Sequence, residues 1–269
     1  MNKNTLISVV LATFNEPPEY IAKSIQSILD QTIDDFELLL IDDSTKPDTV
    51  ETINTLTQGD SRIKLIRSSE RMGFVQALNI GLKQAQGKYI ARMDGDDISL
   101  PNRFELQLAY LESHPDVHVI GGSINIINEK GEIISCRRFP TTSIKVKLFS
   151  IFRSPVSHPT VMMRKSIIEK GIYYDENFKK AEDLELWLRL IKYGYNITNI
   201  PDIIVSSRVI GDHSNKRTKD HFLYNYKARK KNIFFLHPIF WLISILISKI
   251  YTMLPKIIID KIYKMENKN

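Results

Sequence analysis

The 269-residue chain holds a single cysteine, Cys136. No disulfide can close within it, and a reducing cytosol fits best. Glycine is missing where a dinucleotide-binding fold needs it. The segment Thr13-Phe14-Asn15-Glu16-Pro17-Pro18 follows the first apolar run and contains none. A Rossmann dehydrogenase requires G-x-G-x-x-G at that turn, so this class is excluded. A sugar nucleotidyltransferase would carry a glycine-rich, arginine-containing loop there, which places that class second. Internal repeats and low-complexity tracts are also missing. The opening run Leu6-Ile7-Ser8-Val9-Val10-Leu11 is short, and no small-residue cleavage site follows it. It reads as a buried first strand and not as a signal peptide.

Excess charge is missing from most of the chain. The formal net charge is +6, yet Lys227 onward holds nine Lys or Arg against two acids, which leaves the remainder at −1. A nucleic-acid binder carries its basic stripe on the folded body. Here the basic residues flank an apolar stretch, so the expected partner is an anionic membrane surface and not a nucleic acid. An uninterrupted membrane span is missing too. Ile233–Leu254 approaches the ~20 apolar residues a span needs, but His237-Pro238 and Lys249 break it. An in-plane interfacial segment is the favoured reading, with a true span, a packed core helix or a dimer contact as alternatives.

What is present is a core. Hydrophobic residues make up 43% of the chain and charged residues 25%, which is a folding composition. Short β-rich runs alternate with helical patterns through the first hundred residues. Strands are expected at Ile7–Ala12, Phe36–Ile41, Ile63–Ile66 and Lys88–Met93. Helices are expected at Glu19–Leu29, Thr49–Leu56 and Val75–Ala85. That alternation predicts a parallel sheet covered on both faces, with ligands beyond the carboxyl ends of the strands. Asn15-Glu16, Asp42-Asp43 and Asp94 to Asp97 then share one rim. Further along, a helix is expected at Asn102–Glu112 and strands at Val117–Ile127, Ile133–Cys136 and Thr160–Met163. Glu182–Tyr193 and Asn215–Asn232 are expected to be helical.

Three groups of residues carry chemistry. In Tyr89-Ile90-Ala91-Arg92-Met93-Asp94-Gly95-Asp96-Asp97, three carboxylates lie within four residues at a strand end. Such carboxylates repel unless a cation or buried donors compensate. Mn²⁺ or Mg²⁺ answers that need and neutralises a diphosphate leaving group. The plain alternative is a turn in which Asp97 or Ser99 caps the helix after Pro101. At the ends of the first two strands, a carboxylate such as Asp43 can accept from a base or a ribose, and Phe14 can stack on a base. Ordinary turn chemistry also favours Asn and Asp there. Finally, Glu182 and Asp183 open an amphipathic helix. They can complement the helix dipole, or one of them can deprotonate an acceptor hydroxyl.

These segments occur in order with Gly73-Phe74-Val75-Gln76-Ala77-Leu78-Asn79 and Leu186-Trp187-Leu188-Arg189. Together they resemble glycosyltransferase family 2, whose members have the GT-A fold, over roughly residues 6–210. The segment Ser157-His158-Pro159-Thr160-Val161-Met162-Met163-Arg164 is similar to members that build bacterial capsular or O-antigen polysaccharide. The resemblance implies an α/β fold with a mixed, mostly parallel sheet flanked by helices. A catalytic domain at 1–212 would be followed by a helical, membrane-associating tail at 213–269. It implies a hexosyltransferase that moves one sugar, with inversion, from a nucleotide-sugar. A UDP-sugar is the default donor. The acceptor would be a glycan or a polyprenyl-pyrophosphate-linked oligosaccharide at the inner face of the cell membrane.

The roles follow residue by residue. Thr13, Phe14, Asn15, Glu16, Asp43, Arg71 and Asp94 would bind the nucleotide-sugar. Asp96, with Asp94, would hold the metal. Asp183 would be the catalytic base with Glu182 beside it, and His158 and Trp187 would line the acceptor side. Arg92 is a further candidate for the phosphates. Two departures stand out. The Gln/Arg-x-x-Arg-Trp motif of the processive synthases is missing, which implies a single addition. Many members place a histidine two residues beyond an arginine like Arg208, but here Ile210 stands there and His213 follows three residues later. The competing readings are a membrane-docked, catalytically inactive scaffold and the nucleotidyltransferase.

Overall fold

The computed structural model describes residues 5–68, 70–211, 219–232 and 238–254. Strands β1 (Ile7–Thr13) and β2 (Phe36–Asp42) are buried along their whole length. Their continuous apolar runs suit strands covered on both faces. With β3 (Ile63–Ile66) and β4 (Tyr89–Asp94) they form the parallel half of one sheet, in the order β3-β2-β1-β4. The register sets Thr13 beside Asp42 and Ala12 beside Asp94, so the acidic strand ends share one rim. Pro18 and Pro47 open α1 (Pro18–Leu29) and α2 (Pro47–Gly59), where a missing N–H costs nothing. These helices cover one face, with Ile21, Ile25, Ile28 and Ile53 in the core. Helix α3 (Phe74–Gln84) covers the other face. It lies close because Gly81 has no side chain: a Cβ there would come within 2.5 Å of Val10.

The second half of the sheet is mixed. After the two-residue β5 (Ile98–Ser99) and α4 (Arg103–Ser113) come β6 (Val117–Ile127) and β7 (Ile133–Arg137). Helix α5 (Ser143–Ser150) precedes β8 (Met162–Arg164), which pairs antiparallel with both β4 and β6. A short helix, α6 (Ser166–Glu169), leads to α7 (Glu182–Lys192) and the long β9 (Asn196–Arg208). Strand β9 runs parallel to β6, with register shifts opposite the Gly122–Ser123 stretch, and pairs antiparallel with β5.

Among the segments that differ from expectation, two carry residues of the site. The run expected as a strand at Thr160–Met163 opens as a 3-10 turn at His158–Thr160, and the strand begins only at Met162. Pro159 supplies no N–H for a ladder, which delays the pairing. No element was expected at 196–208, where Pro201 interrupts the apolar pattern. In the fold Pro201 is exposed, where β9 shifts register.

Helices α8 (Lys219–Lys231) and α9 (Pro238–Met253) follow. Glu185 of α7, fully buried, anchors α8 through Lys231 Nζ at 2.9 Å and Asn232 Nδ2 at 3.2 Å. Phe222 of α8 stacks on Tyr251 of α9 at 5.5 Å. No helix among the described residues is long and apolar enough to cross a membrane. His213 and the tail residues 233–237 and 255–269 lie outside the described residues.

Candidate active site

The wall built by β1 and β2 is tightly bonded. Asn15 adopts a left-handed conformation, φ 61°, which its short polar side chain tolerates. Its Oδ1 accepts the N–H groups of Thr45 and Lys46, both at 2.8 Å. Glu16 accepts from the Thr13 hydroxyl and from the N–H of Phe14 at 2.7 Å. Asp42 pairs with Arg67 at 2.7 Å and accepts Ser44 N–H at 2.9 Å. Asp43 accepts the N–H of Met72 at 2.9 Å and of Gly73 at 2.8 Å. Gly73, φ 77°, is the residue before α3, so Asp43 fixes the loop that launches this helix. Phe14 is 39% exposed, and the Arg71 guanidinium lies 4.0 Å from its ring centroid. This aromatic–cation pair gives the wall an open edge.

The floor is the turn after β4. Arg92 is 4% exposed and grips Asp94 with both terminal nitrogens, Nη1 to Oδ2 at 2.6 Å. Asp94, Asp96 and Asp97 each offer a carboxylate oxygen within 4.8 Å of the others. Gly95 sits against Thr13 and Glu16, which ties the turn to the first wall. Asp97 does not cap α4. Its Oδ1 accepts the Arg208 N–H at 2.7 Å, and its Oδ2 is buried with no partner. Burial, then Asp94 and Asp96, push its pKa well above the usual carboxylate range. Arg208 also donates from Nε to the backbone oxygen of Asp96 at 3.0 Å. Beneath the turn, the fully buried Arg103 donates to the backbone oxygens of Arg92 at 2.8 Å and Val161 at 3.2 Å.

These carboxylates fit a divalent cation. An orphaned buried oxygen and mutual repulsion are what a hard cation with oxygen ligands relieves. Asp94, Asp96 and Asp97 are the residues placed to hold one.

The far wall is the start of α7. Ala181, just before it, adopts φ 55°, a strained conformation for alanine. Asn15 and Ala181 are the non-glycine residues with positive φ among the described residues, and they stand on opposite walls. Burial and the neighbouring Asp183 raise the Glu182 pKa to about 7. Burial raises Asp183 as well, against the helix N–H groups and Arg92, which lower it. The Ser154 hydroxyl lies 3.4 Å from Asp183 Oδ2. His158 Nε2 lies 2.7 Å from the Tyr174 hydroxyl, with Trp187 and Phe74 edge-on to the ring at 6.0 and 6.3 Å. Burial and then Arg92 hold His158 well below its usual pKa, so it is neutral near pH 7. Trp187 is 0% exposed and has no surface to offer an acceptor. It supports the wall through His158.

Arg92 thus stands between two groups of acids, and its charge acts on Asp97, Glu182, Asp183 and His158 alike. Sequence reasoning named Arg92 only as a further candidate for the phosphates, and it counted Asp97 in the acidic cluster without assigning it to the metal. The signal for Arg92 was a charged residue inside an otherwise apolar strand.

An acidic turn at the centre of an α/β rim, closed by a second pair of acids on a helix start, is the architecture of the GT-A fold. The sequence pattern of Glycosyl transferase family 2 matches residues 8–171, and the chain belongs to that family. It is a glycosyltransferase. It is 35% identical over 228 residues to the O-antigen biosynthesis glycosyltransferase WbnJ of Escherichia coli, covering 83% of this chain and 85% of WbnJ. It is 28% identical over 271 residues to the amylovoran biosynthesis glycosyltransferase AmsE of Erwinia amylovora, covering 98% and 100%. The S. aureus TarS 1–349 structure superposes with a TM-score of 0.65 at 19% identity, covering 90% of this chain and 71% of that one. The same fragment in complex with UDP-GlcNAc superposes at 0.63 and 20% identity, covering 84% and 66%.

Proposed function

We propose that the protein transfers one sugar, with inversion, from a nucleotide-sugar to a glycan or lipid-linked oligosaccharide during surface polysaccharide synthesis. A UDP-sugar is the favoured donor, since the TarS fragment was solved with UDP-GlcNAc and shares this fold. The relatives WbnJ and AmsE carry names from O-antigen and amylovoran synthesis, which supports the polysaccharide setting. The single observation behind the reading is the division of acids around Arg92. One group lies in the β4 turn and the other at the head of α7.

Phe14 and Arg71 offer an aromatic face and a cation at the open edge, suited to a base and a phosphate. Asp94, Asp96 and Asp97 would hold Mn²⁺ or Mg²⁺, which supplies positive charge for the diphosphate as it leaves. Asp183 faces the open groove and takes the proton from the acceptor hydroxyl. The hydroxyl oxygen then bonds to the anomeric carbon as the bond from that carbon to the phosphate oxygen breaks. One base suffices, and no covalent sugar–enzyme intermediate forms. Glu182, partly protonated near neutral pH, keeps the second charge beside Asp183 low. Arg92 limits the repulsion between the acid groups.

Residues 1–212 form the catalytic unit and 213–269 its membrane-associating appendage. Leu242, Leu246, Ile250 and Met253 make an exposed apolar stripe on α9. With the basic residues around it, that stripe suits peripheral contact with an anionic inner membrane face.

A thermal-shift panel of UDP, GDP, dTDP and CMP, each with and without Mn²⁺, tests the donor site. UDP with Mn²⁺ should stabilise the wild type, and Asp96→Ala should remove the shift. Equal stabilisation without Mn²⁺, or in Asp96→Ala, would count against the metal assignment.

A further inference from the structure

The loop between α6 and α7, residues 170–181, delivers Ala181 and the acid pair, and three helices clasp it. Asn79 of α3 holds the backbone of Tyr174 twice. Its Oδ1 accepts the Tyr174 N–H at 3.0 Å, and its Nδ2 donates to the Tyr174 carbonyl oxygen at 3.0 Å. Arg189 of α7 donates to the carbonyl oxygen of Tyr173 at 2.6 Å. Lys231 of α8 pairs with Asp175. Three successive residues are thus fixed from three directions. A buried polar network that is fully met in this way specifies one conformation. Tyr174 itself is 4% exposed.

The phenol of Tyr174 lies among the charged groups of the site. Arg92, Glu182, Asp183 and Asp94 all act on it through their charge. None of them bonds to it. The hydroxyl has one hydrogen-bond partner among the described residues, His158 Nε2 at 2.7 Å. Burial pushes the phenol pKa well above the usual tyrosine value; Arg92 opposes this and the three acids add to it. The hydroxyl therefore keeps its proton.

That proton decides the state of the histidine. His158 is neutral near pH 7, so one ring nitrogen donates and the other accepts. If Nε2 donated to the phenol oxygen, the phenol proton would be buried without a partner, which native interiors avoid. Nε2 therefore accepts, and the ring proton sits on Nδ1. Nδ1 has no partner among the described residues and is not sealed from solvent. His158 lines the inner end of a groove of about 850 Å³ together with Ser154 and Asp183. That end holds a neutral N–H donor, a hydroxyl and a carboxylate. The set suits adjacent hydroxyl groups: one donates to the carboxylate while its neighbour accepts from the N–H.

We propose that Tyr174 is a positioning residue. Its hydroxyl locks His158 as the Nδ1–H tautomer, and that N–H receives a hydroxyl oxygen of the acceptor sugar, next to the hydroxyl that Asp183 deprotonates. The edges of Phe74 and Trp187 against the imidazole fix the plane in which the donor points. The acceptor contact rests on the proposed function; the tautomer rests on the geometry of Tyr174 and His158 alone.

Long-range proton–nitrogen NMR on the full chain, with its histidine rings isotope-labelled, reads the tautomer directly. His158→Asn identifies the signal by its loss. Wild type should show Nδ1 protonated and Nε2 bare. Tyr174→Phe keeps the aromatic ring and the Asn79 clasp, and it should lose that single tautomer. A proton on Nε2 in the wild type, or unchanged signals in Tyr174→Phe, would overturn the proposal. Methyl glycosides of glucose, galactose and N-acetylglucosamine then serve as acceptor probes, on protein loaded with UDP and Mg²⁺. At least one should move the Nδ1 signal. Its Kd should rise about five- to tenfold in Tyr174→Phe, the loss of one aligned hydrogen bond. His158→Asn, whose amide nitrogen takes the place of Nδ1, should keep more of that affinity than His158→Gln, whose amide nitrogen takes the place of Nε2. An unmoved Nδ1 signal with every glycoside, or equal losses in the two variants, would overturn the acceptor contact. UDP affinity should be unchanged in Tyr174→Phe, and its loss would mark a structural role instead. Spectra of unloaded protein report the tautomer whether or not UDP binds, so a failed donor site and a failed Tyr174–His158 pair are distinguishable.

Discussion

The two walls of the site treat their acids in opposite ways. On the β1–β2 wall, Asp42 and Asp43 have both carboxylate oxygens bonded, to backbone N–H groups and to Arg67. Asn15 and Glu16 are likewise occupied within the loops they close. On the floor and far wall, Asp97, Glu182 and Asp183 are all pushed upward by burial. Asp97 has an orphaned oxygen, and strained Ala181 presents the other two. Satisfied acids hold a shape, whereas frustrated acids are poised to exchange a proton or take up a cation.

Removing one acid from each wall should therefore produce different failures. Asp183→Asn should lower sugar transfer by about 10²–10⁴-fold, the span of a lost general base. Its nucleotide affinity should stay at the wild-type value. Normal transfer by this variant, measured under single-turnover conditions, would remove Asp183 from the role of base.

Asp43→Ala should fail by unfolding. It strands the N–H groups of Met72 and Gly73, at about 2–4 kcal/mol of stability for two unmet donors. Denaturant unfolding measures this directly. An unchanged midpoint would show that water replaces Asp43 freely, and the contrast between the walls would collapse.

The pH dependence of stability separates the walls next. The folded pKa of Glu182, about 7, lies above its ordinary value of 4.5. The folded state therefore binds a proton that the unfolded state releases, and stability falls as pH rises from about 4.5 to about 7. Glu182→Gln should flatten that fall and be more stable than wild type at pH 8, by on the order of 1–2 kcal/mol. Asp183 shifts in the same direction, so a smaller slope should persist. Parallel pH profiles for the two proteins would refute the assignment.

The smallest effect is expected at the open edge. Arg71 is 67% exposed along its side chain and sits 3.9 Å from Asp43. Arg71→Ala should change stability by less than about 0.5 kcal/mol, as exposed pairs do. A loss of nucleotide affinity without a loss of stability would then show that Arg71 serves the ligand.

Much of this arrangement was legible in the sequence, and the unread parts share a cause. The strands β1, β2 and β4 announce themselves as apolar runs ending in acids. Helices α1, α3 and α7 show apolar residues at helical spacing. Strand β9 was missed because Pro201 breaks the pattern, and its place follows from pairing with β6 some eighty residues earlier. The family resemblance placed Trp187 on the acceptor side. Helix geometry turns that residue fully into the core. Asp97 reads as a member of the acidic cluster or a helix cap, and only the return of β9 bonds it to Arg208.

The sequence by itself determined the order of the first elements, from β1 to β4, and the gathering of acids on one rim. Both depend on local pattern and on the direction of parallel strands, which each segment carries within itself. Only the tertiary structure decided which acids are satisfied and which are left exposed to each other's charge. It also decided that Arg92 stands between them. Those outcomes rest on contacts between distant residues, such as the Arg208–Asp97 bond across 111 positions, and on burial, which no single segment can establish alone.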